Sequence, residues 1–279
     1  GDVDKRQVKE AAAMAREADV AIVVVGENPL RYQKGKTCGE NTDRMNLELL
    51  GTQEQLVLDI AATGVPTIVV LTGGRPLAIP EIDRKASAVL QAWEPGSEGG
   101  LALAEIIAGQ VNPSAKLPVS MPYSSGQIQM IYNHKPSQYF HKYKDGPSKP
   151  LYPFGYGLSY TDFTISEPVL DRTEAATADT VKVTATVTNI GSREGSEVVQ
   201  LYIRDNISTA TRPVKELKDF VRVSLKPGES RTVEFDITPD KLAFFDRNMK
   251  YSVEPGDFTV MVGSSSLDKD LKTTCLTIK

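Results

Sequence analysis

The sequence has few residues of the kinds that build metal and cofactor sites. It contains only two cysteines, Cys38 and Cys275, and two histidines, His134 and His141, among its 279 residues. The cysteines lie far apart and lack metal-ligand spacing, so we expect two free thiols. The spacing of carboxylates around the two histidines does not suggest a metal site either. We therefore predict no metal site, and these residues imply no organic cofactor.

Long apolar runs and dense basic clusters are also missing. The longest apolar run, VAIVVVG at residues 20–26, is far shorter than the ~20 residues that a membrane-spanning helix requires. The net charge is −4, and Lys and Arg do not cluster, which argues against a nucleic-acid partner. With 40% hydrophobic and 24% charged residues, the composition is that of a globular protein long enough for two domains.

The first half of the chain alternates helical and strand patterns. Apolar residues at helical spacing predict helices within residues 7–18, 52–62 and 97–109, the second with a capping box at Thr52 and Gln55. Apolar runs predict strands at residues 20–26, 67–74 and 87–93. This order predicts a parallel α/β sheet, whose strands are buried on both faces. Three strands make a small sheet, so we expect that the rest of it lies upstream of Gly1.

The second half has a different character. Residues 110–158 are rich in Pro, Gly and Tyr with little periodicity, which indicates an ordered connector. We expect its YPFGYGLSY segment (152–160) to anchor it to the domain that follows; the alternative is that its aromatic rings stack on a sugar. About seven segments of alternating polarity then follow, separated by turns such as KPGE and EPGD, the pattern of an immunoglobulin-like β-sandwich. We predict an α/β sandwich domain at 1–125, a connector at 126–160 and a β-sandwich at 161–279.

Two glycine-rich turns raise the possibility of phosphate binding. TGGRP (72–76) and EPGSEGG (94–100) follow predicted strands, but neither has the spacing of a dinucleotide fingerprint or a P-loop. We interpret both as tight strand-to-helix turns. A nucleotide-binding protein of the open α/β class remains an alternative, which stabilisation by nucleotide in a thermal-shift screen would favour.

The segment CGENTDRMNLELLG (38–51) is the strongest candidate for chemistry. It places Glu40, Asp43 and Arg44 between two glycines, a short distance after an apolar strand. Cleavage of a glycosidic bond needs a carboxylic acid that protonates the leaving oxygen, and a Glu on a loop that folds over substrate can serve this purpose. Asp43 and Arg44 would then support it, with Arg44 as an ion-pair partner that fixes the loop. A charged surface loop is the alternative.

The ordered series of motifs resembles a known family. ADVAIVVVGE, GENTDRMNLELLGTQEQLV, PTIVVLTGGRPLAI, AVLQAWEPGSEGG and YPFGYGLSYTDF are similar to the C-terminal half of glycoside hydrolase family 3, closest to its bacterial β-glucosidases. RPVKELKDFVRVSLKPGESRTVEFDI and YSVEPGDFTVMVG resemble the fibronectin type III-like domain that follows in many members. Together these segments cover nearly the whole chain.

The resemblance implies part of a retaining, exo-acting β-glycosidase. Its acid/base would be Glu40, supported by Asp43 and Arg44, and its substrates β-linked oligosaccharides or aryl glucosides. Leu50 stands where proline is usual. Glu27 of VVGEN ranks below Glu40 because it lacks the neighbouring Asp and Arg. The resemblance also implies a secreted or periplasmic location, and leaves the oligomeric state open.

One expected motif does not occur in the sequence. The nucleophile Asp of this family lies in a barrel domain, and its motif is not found in residues 1–279. A retaining mechanism needs two carboxylates about 5 Å apart. We therefore expect the chain alone to be inactive without the barrel domain as its partner. The alternative is a non-catalytic fragment that binds carbohydrate or protein.

Overall fold

The computed structural model describes residues 4–29, 35–136 and 142–279, which divide into two compact units. The first unit comprises Gly1–Gln110, Met121–Met130 and Asp145–Leu151; the second comprises Val111–Ser120, Ile131–Lys144 and Tyr152–Lys279. His141 and residues 137–140 of the predicted connector lie outside the described residues. The domain boundaries at residues 125 and 160 stay a prediction.

The first unit is an α/β domain with a parallel sheet in the order β1-β2-β3. This part of the predicted fold class is confirmed, as are its three strands. The strands are β1 (Ala21–Gly26), β2 (Thr67–Thr72) and β3 (Ala88–Trp93), and the helices are α1 (Lys5–Ala15), α2 (Gln53–Ala61), α3 (Pro80–Lys85) and α4 (Gly99–Ile107).

A capping box is present at the start of α1 but not at the start of α2, where we predicted one. Helix α1 begins with a capping box, in which Asp4 Oδ1 accepts from the backbone of Gln7 and the Gln7 side chain accepts from the Asp4 backbone, both at 2.9 Å. The capping box predicted for α2 is wrong. Thr52 is the N-cap residue, but its φ of −100° and ψ of 14° are not extended, and its side chain makes no cap bond.

Strand β1 is buried on one face only. Val23 and Val25 are buried, and α2 packs against β1 and β2. On the opposite face Ile22 and Val24 are 51% and 62% exposed, so the prediction that this strand is buried on both faces is wrong for β1. The reason is that the described residues pack against only one of its two faces. The central strand β2 carries buried side chains on both faces, including Val70 and Leu71.

The second unit contains the predicted all-β sandwich. One sheet has the order β10-β7-β4, with β5 also paired to β7, and the other has the order β6-β14-β13-β8-β9. Its strands are β4 (Phe163–Ile165), β5 (Val169–Leu170), β6 (Glu174–Ala175), β7 (Val181–Asn189), β8 (Gly195–Asp205), β9 (Glu216–Leu225), β10 (Ser230–Ile237), β11 (Phe244–Phe245), β12 (Tyr251–Ser252), β13 (Gly256–Gly263) and β14 (Leu271–Ile278). A short helix, α5 (Pro239–Leu242), precedes the small β11–β12 hairpin.

Alternation along the strands builds the core of the sandwich. In β7, Val181, Val183, Ala185 and Val187 are buried, while the residues between them are not. They pack with apolar side chains of the opposite sheet, among them Leu201 and others of β8, β13 and β14. Each fully buried Val or Leu contributes about 1.5–3 kcal/mol of hydrophobic stabilisation.

Aromatic residues hold the connector segments of the second unit on the outer face of the five-stranded sheet. Phe154 stacks on Tyr132 with ring centroids 4.2 Å apart, and Tyr132 meets Tyr202 of β8 edge-on at 5.8 Å. The Tyr132 hydroxyl accepts a hydrogen bond from the Leu217 backbone at 3.1 Å. The anchoring role expected for this aromatic segment is confirmed.

Candidate active site

The C-terminal ends of β1 and β2 carry two charged residues. Glu27 directly follows β1, and Arg75 follows β2 after Gly73 and Gly74. The Glu27 backbone donates to the Thr72 carbonyl at 3.0 Å, which extends the pairing of the two strands. In open α/β sheets, ligands bind outside the carboxyl ends of the strands, so both residues lie at the edge where a site is expected.

Glu40 lies in a tight turn of the segment between β1 and α2. The Thr42 backbone donates to the Gly39 carbonyl at 2.9 Å, which closes a four-residue turn with Glu40 and Asn41 at its centre. Asn41 has φ of 60°, as position three of a type II turn requires. Glu40 is exposed, and its backbone carbonyl accepts a hydrogen bond from Lys36 Nζ.

Arg44 connects this segment to the sheet. Its Nη1 lies 3.3 Å from Glu27 Oε1, and its Nη2 donates to Asn46 Oδ1 at 2.8 Å and to the Glu48 carbonyl at 2.6 Å. An arginine can make these contacts together because its guanidinium carries five donors in a fixed plane. Arg44 thus has an ion-pair partner at the end of β1, and its role in fixing the loop stays a prediction.

Asp43 pairs with Arg75. Its carboxylate accepts a hydrogen bond from Arg75 Nη2, and Arg75 Nη1 reaches the Arg44 carbonyl at 3.4 Å. The hydrogen bond from the Arg44 backbone, followed by the contact with Arg75, holds the pKa of Asp43 below its usual value. Burial opposes the charge of Arg75, but the hydrogen bond to Asp43 and the charge of Glu27 outweigh it and raise the pKa of Arg75.

The same region contains Cys38, which is buried. Burial, and then the negative charge of Glu27, raise the pKa of the Cys38 thiol, so it stays protonated at neutral pH. Cys275 is exposed, and both cysteines are free thiols, as predicted. Within residues 4–29, 35–136 and 142–279, no group of three or more His, Cys, Asp or Glu side chains is arranged to bind a metal ion.

The structure therefore brings Asp43 and Arg44 together with two residues that the sequence did not single out as site residues. Glu27 lacks a neighbouring Asp and Arg in the sequence, but in the structure it contacts Arg44 from 17 residues away and Arg75 from 48. Its rank below Glu40 as a catalytic residue stays a prediction. Arg75 could have been identified from the sequence by its position in TGGRP, a turn that directly follows a buried strand.

The residues of this site lie within a part of the chain that matches a known protein family. Residues 3–160 match the glycosyl hydrolase family 3 C-terminal domain, and residues 197–266 match a fibronectin type III-like domain. The chain belongs to glycosyl hydrolase family 3. The fibronectin type III-like match lies within the β-sandwich of the second unit.

Known members of the family are similar to the chain over nearly its whole length. It is 42% identical to a periplasmic β-glucosidase of Salmonella typhimurium over 93% of the chain, and 43% identical to a β-xylosidase of Formosa agariphila over 100%. The crystal structure of a β-glucosidase from Listeria innocua in complex with glucose is 33% identical, covers 99% of the chain and superposes with a TM-score of 0.90.

The relatives are much longer than this chain. The match covers 34% of the Salmonella protein, 38% of the Formosa protein and 39% of the Listeria chain. The family 3 chain thus corresponds to about a third of the length of these relatives. In the part of the chain that the structure describes, no helix is long and apolar enough to cross a membrane.

Proposed function

We propose that this chain is the C-terminal part of a retaining, exo-acting β-glycosidase of the β-glucosidase type, which removes terminal β-linked glucose from oligosaccharides or aryl glucosides. Its membership of family 3, together with relatives named β-glucosidase and β-xylosidase, supports this activity. We further propose a secreted or periplasmic location, by similarity to the periplasmic relative.

In this proposal Glu40 is the general acid and general base. It first protonates the oxygen of the departing group, and then removes a proton from the water that attacks the glycosyl-enzyme. The nucleophile is an Asp of the barrel domain, outside these 279 residues. The observation that carries the assignment is the position of Glu40: it lies in a closed turn next to Asp43 and Arg44, which are held at the C-terminal edge of the sheet.

The supporting residues act on the loop and not on the sugar. Arg44 and Asp43 pair with Glu27 and Arg75, and these contacts hold the segment that bears Glu40 against the ends of β1 and β2. A residue that transfers a proton needs such support because a small misplacement of its oxygen relative to the leaving group slows the reaction.

The test uses the full-length protein that contains this chain, with 4-nitrophenyl β-glucoside as the substrate. We expect hydrolysis with the β-anomer of glucose as the first product by NMR, and a loss of about 10²- to 10⁴-fold in kcat for Glu40→Gln. Glu48→Gln is the matched control, since Glu48 is an exposed glutamate of the same loop.

Other outcomes have definite meanings. Activity that survives in Glu40→Gln would show that the proton donor is another residue, and α-glucose as the first product would exclude a retaining mechanism. If the full-length protein binds oligosaccharides without hydrolysing any aryl glycoside, the chain is part of a binding protein.

A further inference from the structure

The most enclosed charged group near the candidate site is Glu27, which enters the proposed mechanism only as a partner of Arg44. Its side chain is 1% exposed, and both carboxylate oxygens are used: Oε1 contacts Arg44 Nη1 at 3.3 Å, and Oε2 contacts Arg75 Nε at 2.8 Å. Burial removes water from a carboxylate, and here two guanidiniums occupy the place of that water.

Asp43 completes this group of charges. It pairs with the far side of Arg75 and is 81% exposed. Glu27, Asp43, Arg44 and Arg75, which we call the clamp, thus contain two carboxylates and two guanidiniums, and their formal charges cancel. Its buried end is at Glu27 and its exposed end is at Asp43, the residue nearest to the turn that holds Glu40.

The clamp joins two kinds of structure. Glu27 and Arg75 follow the C-terminal ends of β1 and β2, where Gly73 leaves room for the Glu27 side chain: a Cβ at residue 73 would lie 3.0 Å from that of Glu27. Asp43 and Arg44 come from a segment without regular secondary structure. The Glu27 backbone is bonded to Thr72 at the end of β2, so Glu27 gives this segment an attachment point that the sheet positions.

The position of Glu40 depends on this attachment. Its turn ends at Thr42, and the clamp begins at the next residue. Three residues of extended chain span at most about 10 Å, so fixing Asp43 restricts Glu40 to a small region at the end of the sheet.

We propose that Glu27 and Arg75 are positioning residues for the acid/base Glu40, acting through Asp43 and Arg44. This inference rests on the proposed function, because it presumes that Glu40 transfers the proton. Neither residue touches the substrate in this role. Removing either one lets the turn move and weakens proton donation, while the first step with a leaving group that needs no proton stays intact.

The experiment compares two aryl β-glucosides in the full-length protein. Phenol is a poor leaving group that needs a proton, whereas 2,4-dinitrophenolate departs as a stable anion, and kcat/KM reports the steps through its departure. We expect Arg75→Met to lower kcat/KM for the phenyl substrate about 10- to 100-fold, and for the dinitrophenyl substrate about twofold or less. Asp43→Asn, at the exposed end of the clamp, should show the same selectivity with a smaller loss and little risk to folding.

A double variant separates positioning from general destabilisation. In a Glu40→Gln background, Arg75→Met should cost no further activity on the phenyl substrate, because residues that act as a unit are not additive. Arg84→Met is the matched control, since Arg84 pairs with Glu81 on the surface of α3 and should leave both substrates unaffected.

The possible failures are distinguishable. If Glu40→Gln slows both substrates equally or neither, the proposed function fails. If Glu40→Gln is selective for the phenyl substrate but Arg75→Met and Asp43→Asn slow both substrates alike, or slow the phenyl substrate equally in the Glu40→Gln background, the positioning role is wrong and the clamp is only structural.

Discussion

Glu27 is a residue that would support the active site without taking part in the reaction itself. Its carboxylate is enclosed, and its two partners come from distant parts of the chain. A buried charge that loses its partner costs far more than an exposed one, because no water replaces the lost contact. Its contribution to stability can therefore be measured separately from activity.

The first prediction concerns this carboxylate. Glu27→Gln keeps the shape of the side chain but leaves the two guanidiniums without their common counter-charge, so it should lower the free energy of unfolding by about 3 kcal/mol. Denaturant unfolding followed by circular dichroism measures this. Glu10→Gln, in an exposed pair with Arg6 on α1, should change little. Equal effects of the two variants would contradict the buried-pair argument.

A second prediction concerns Lys218 in the β-sandwich. It is the extra residue of a bulge in β9, where Asp219 pairs with Leu201 and Leu217 with Tyr202. Burial lowers the pKa of its ammonium, and the nearby charge of Glu216 restores only part of it. The unfolded chain therefore binds this proton more tightly than the folded protein, and stability should rise with pH between the lowered pKa and about 10.4.

Lys218→Met removes that cost. The variant should be more stable than the parent chain at pH 7. Its advantage should shrink as the pH rises from 7 to 10, because the folded parent loses this proton at a lower pH than the unfolded chain, which loses it at about 10.4. Urea unfolding at the two pH values measures the difference. A variant that is less stable at pH 7, or whose advantage grows with pH, would show that the contact with Glu216 outweighs the burial of the ammonium.

At the scale of single elements, β1 and β2 approach each other very closely where the site begins. Gly26 has φ of 146°, and a Cβ there would lie 1.9 Å from the Thr72 carbonyl oxygen. Only glycine fits between the two backbones without displacing a strand. Because Glu27 is the next residue, this close contact also determines where the clamp starts.

A third prediction follows for this pair of strands. Gly26→Ala should push β1 away from β2 and lower the free energy of unfolding by about 2 kcal/mol or more, and it should also reduce activity in the full-length protein. Gly100→Ala is the control. A Cβ at Gly100 meets nothing within 4 Å inside α4, so this change should stabilise the protein by up to about 1 kcal/mol. Similar effects of both changes would contradict the steric argument.

The elements also show which parts of the fold could be predicted from the sequence. Strand β7 (Val181–Asn189) could be predicted from the sequence, because apolar and polar residues alternate without interruption over its nine residues. Helix α3 was missed, since its six residues are too few to show a helical period. The pattern of residues 161–170 resembles one strand, but the structure has two, β4 and β5, which flank Pro168, a residue that cannot donate to a ladder.

The site was less predictable than the fold for a physical reason. Asp43 and Arg44 are close in sequence to Glu40, and a local motif therefore identifies them. Glu27 and Arg75 reach them only because parallel strands bring their carboxyl ends to one edge of a sheet. The contact between Glu27 and Arg75 depends on which strands are neighbours in the sheet, and the spacing of residues along the chain does not reveal this order.

At the scale of the whole molecule, the chain has two units, and it matches about a third of the length of its relatives. Charges that meet in the clamp can position a proton donor, but a retaining glycosidase also needs a nucleophile about 5 Å from it across the sugar. Family 3 membership and the exposure of Glu40 fit a site that is completed by a further domain.

The last prediction tests whether this chain supplies the proton donor and a further domain supplies the nucleophile. The 279-residue chain alone should not hydrolyse 4-nitrophenyl β-glucoside, whereas co-expression with the preceding part of the full-length protein should restore hydrolysis. Restored activity should vanish when the 279-residue chain carries Glu40→Gln and persist when it carries Glu48→Gln, because only Glu40 donates the proton. Hydrolysis by the isolated chain that depends on Glu40 would mean instead that both carboxylates of the mechanism lie within these residues.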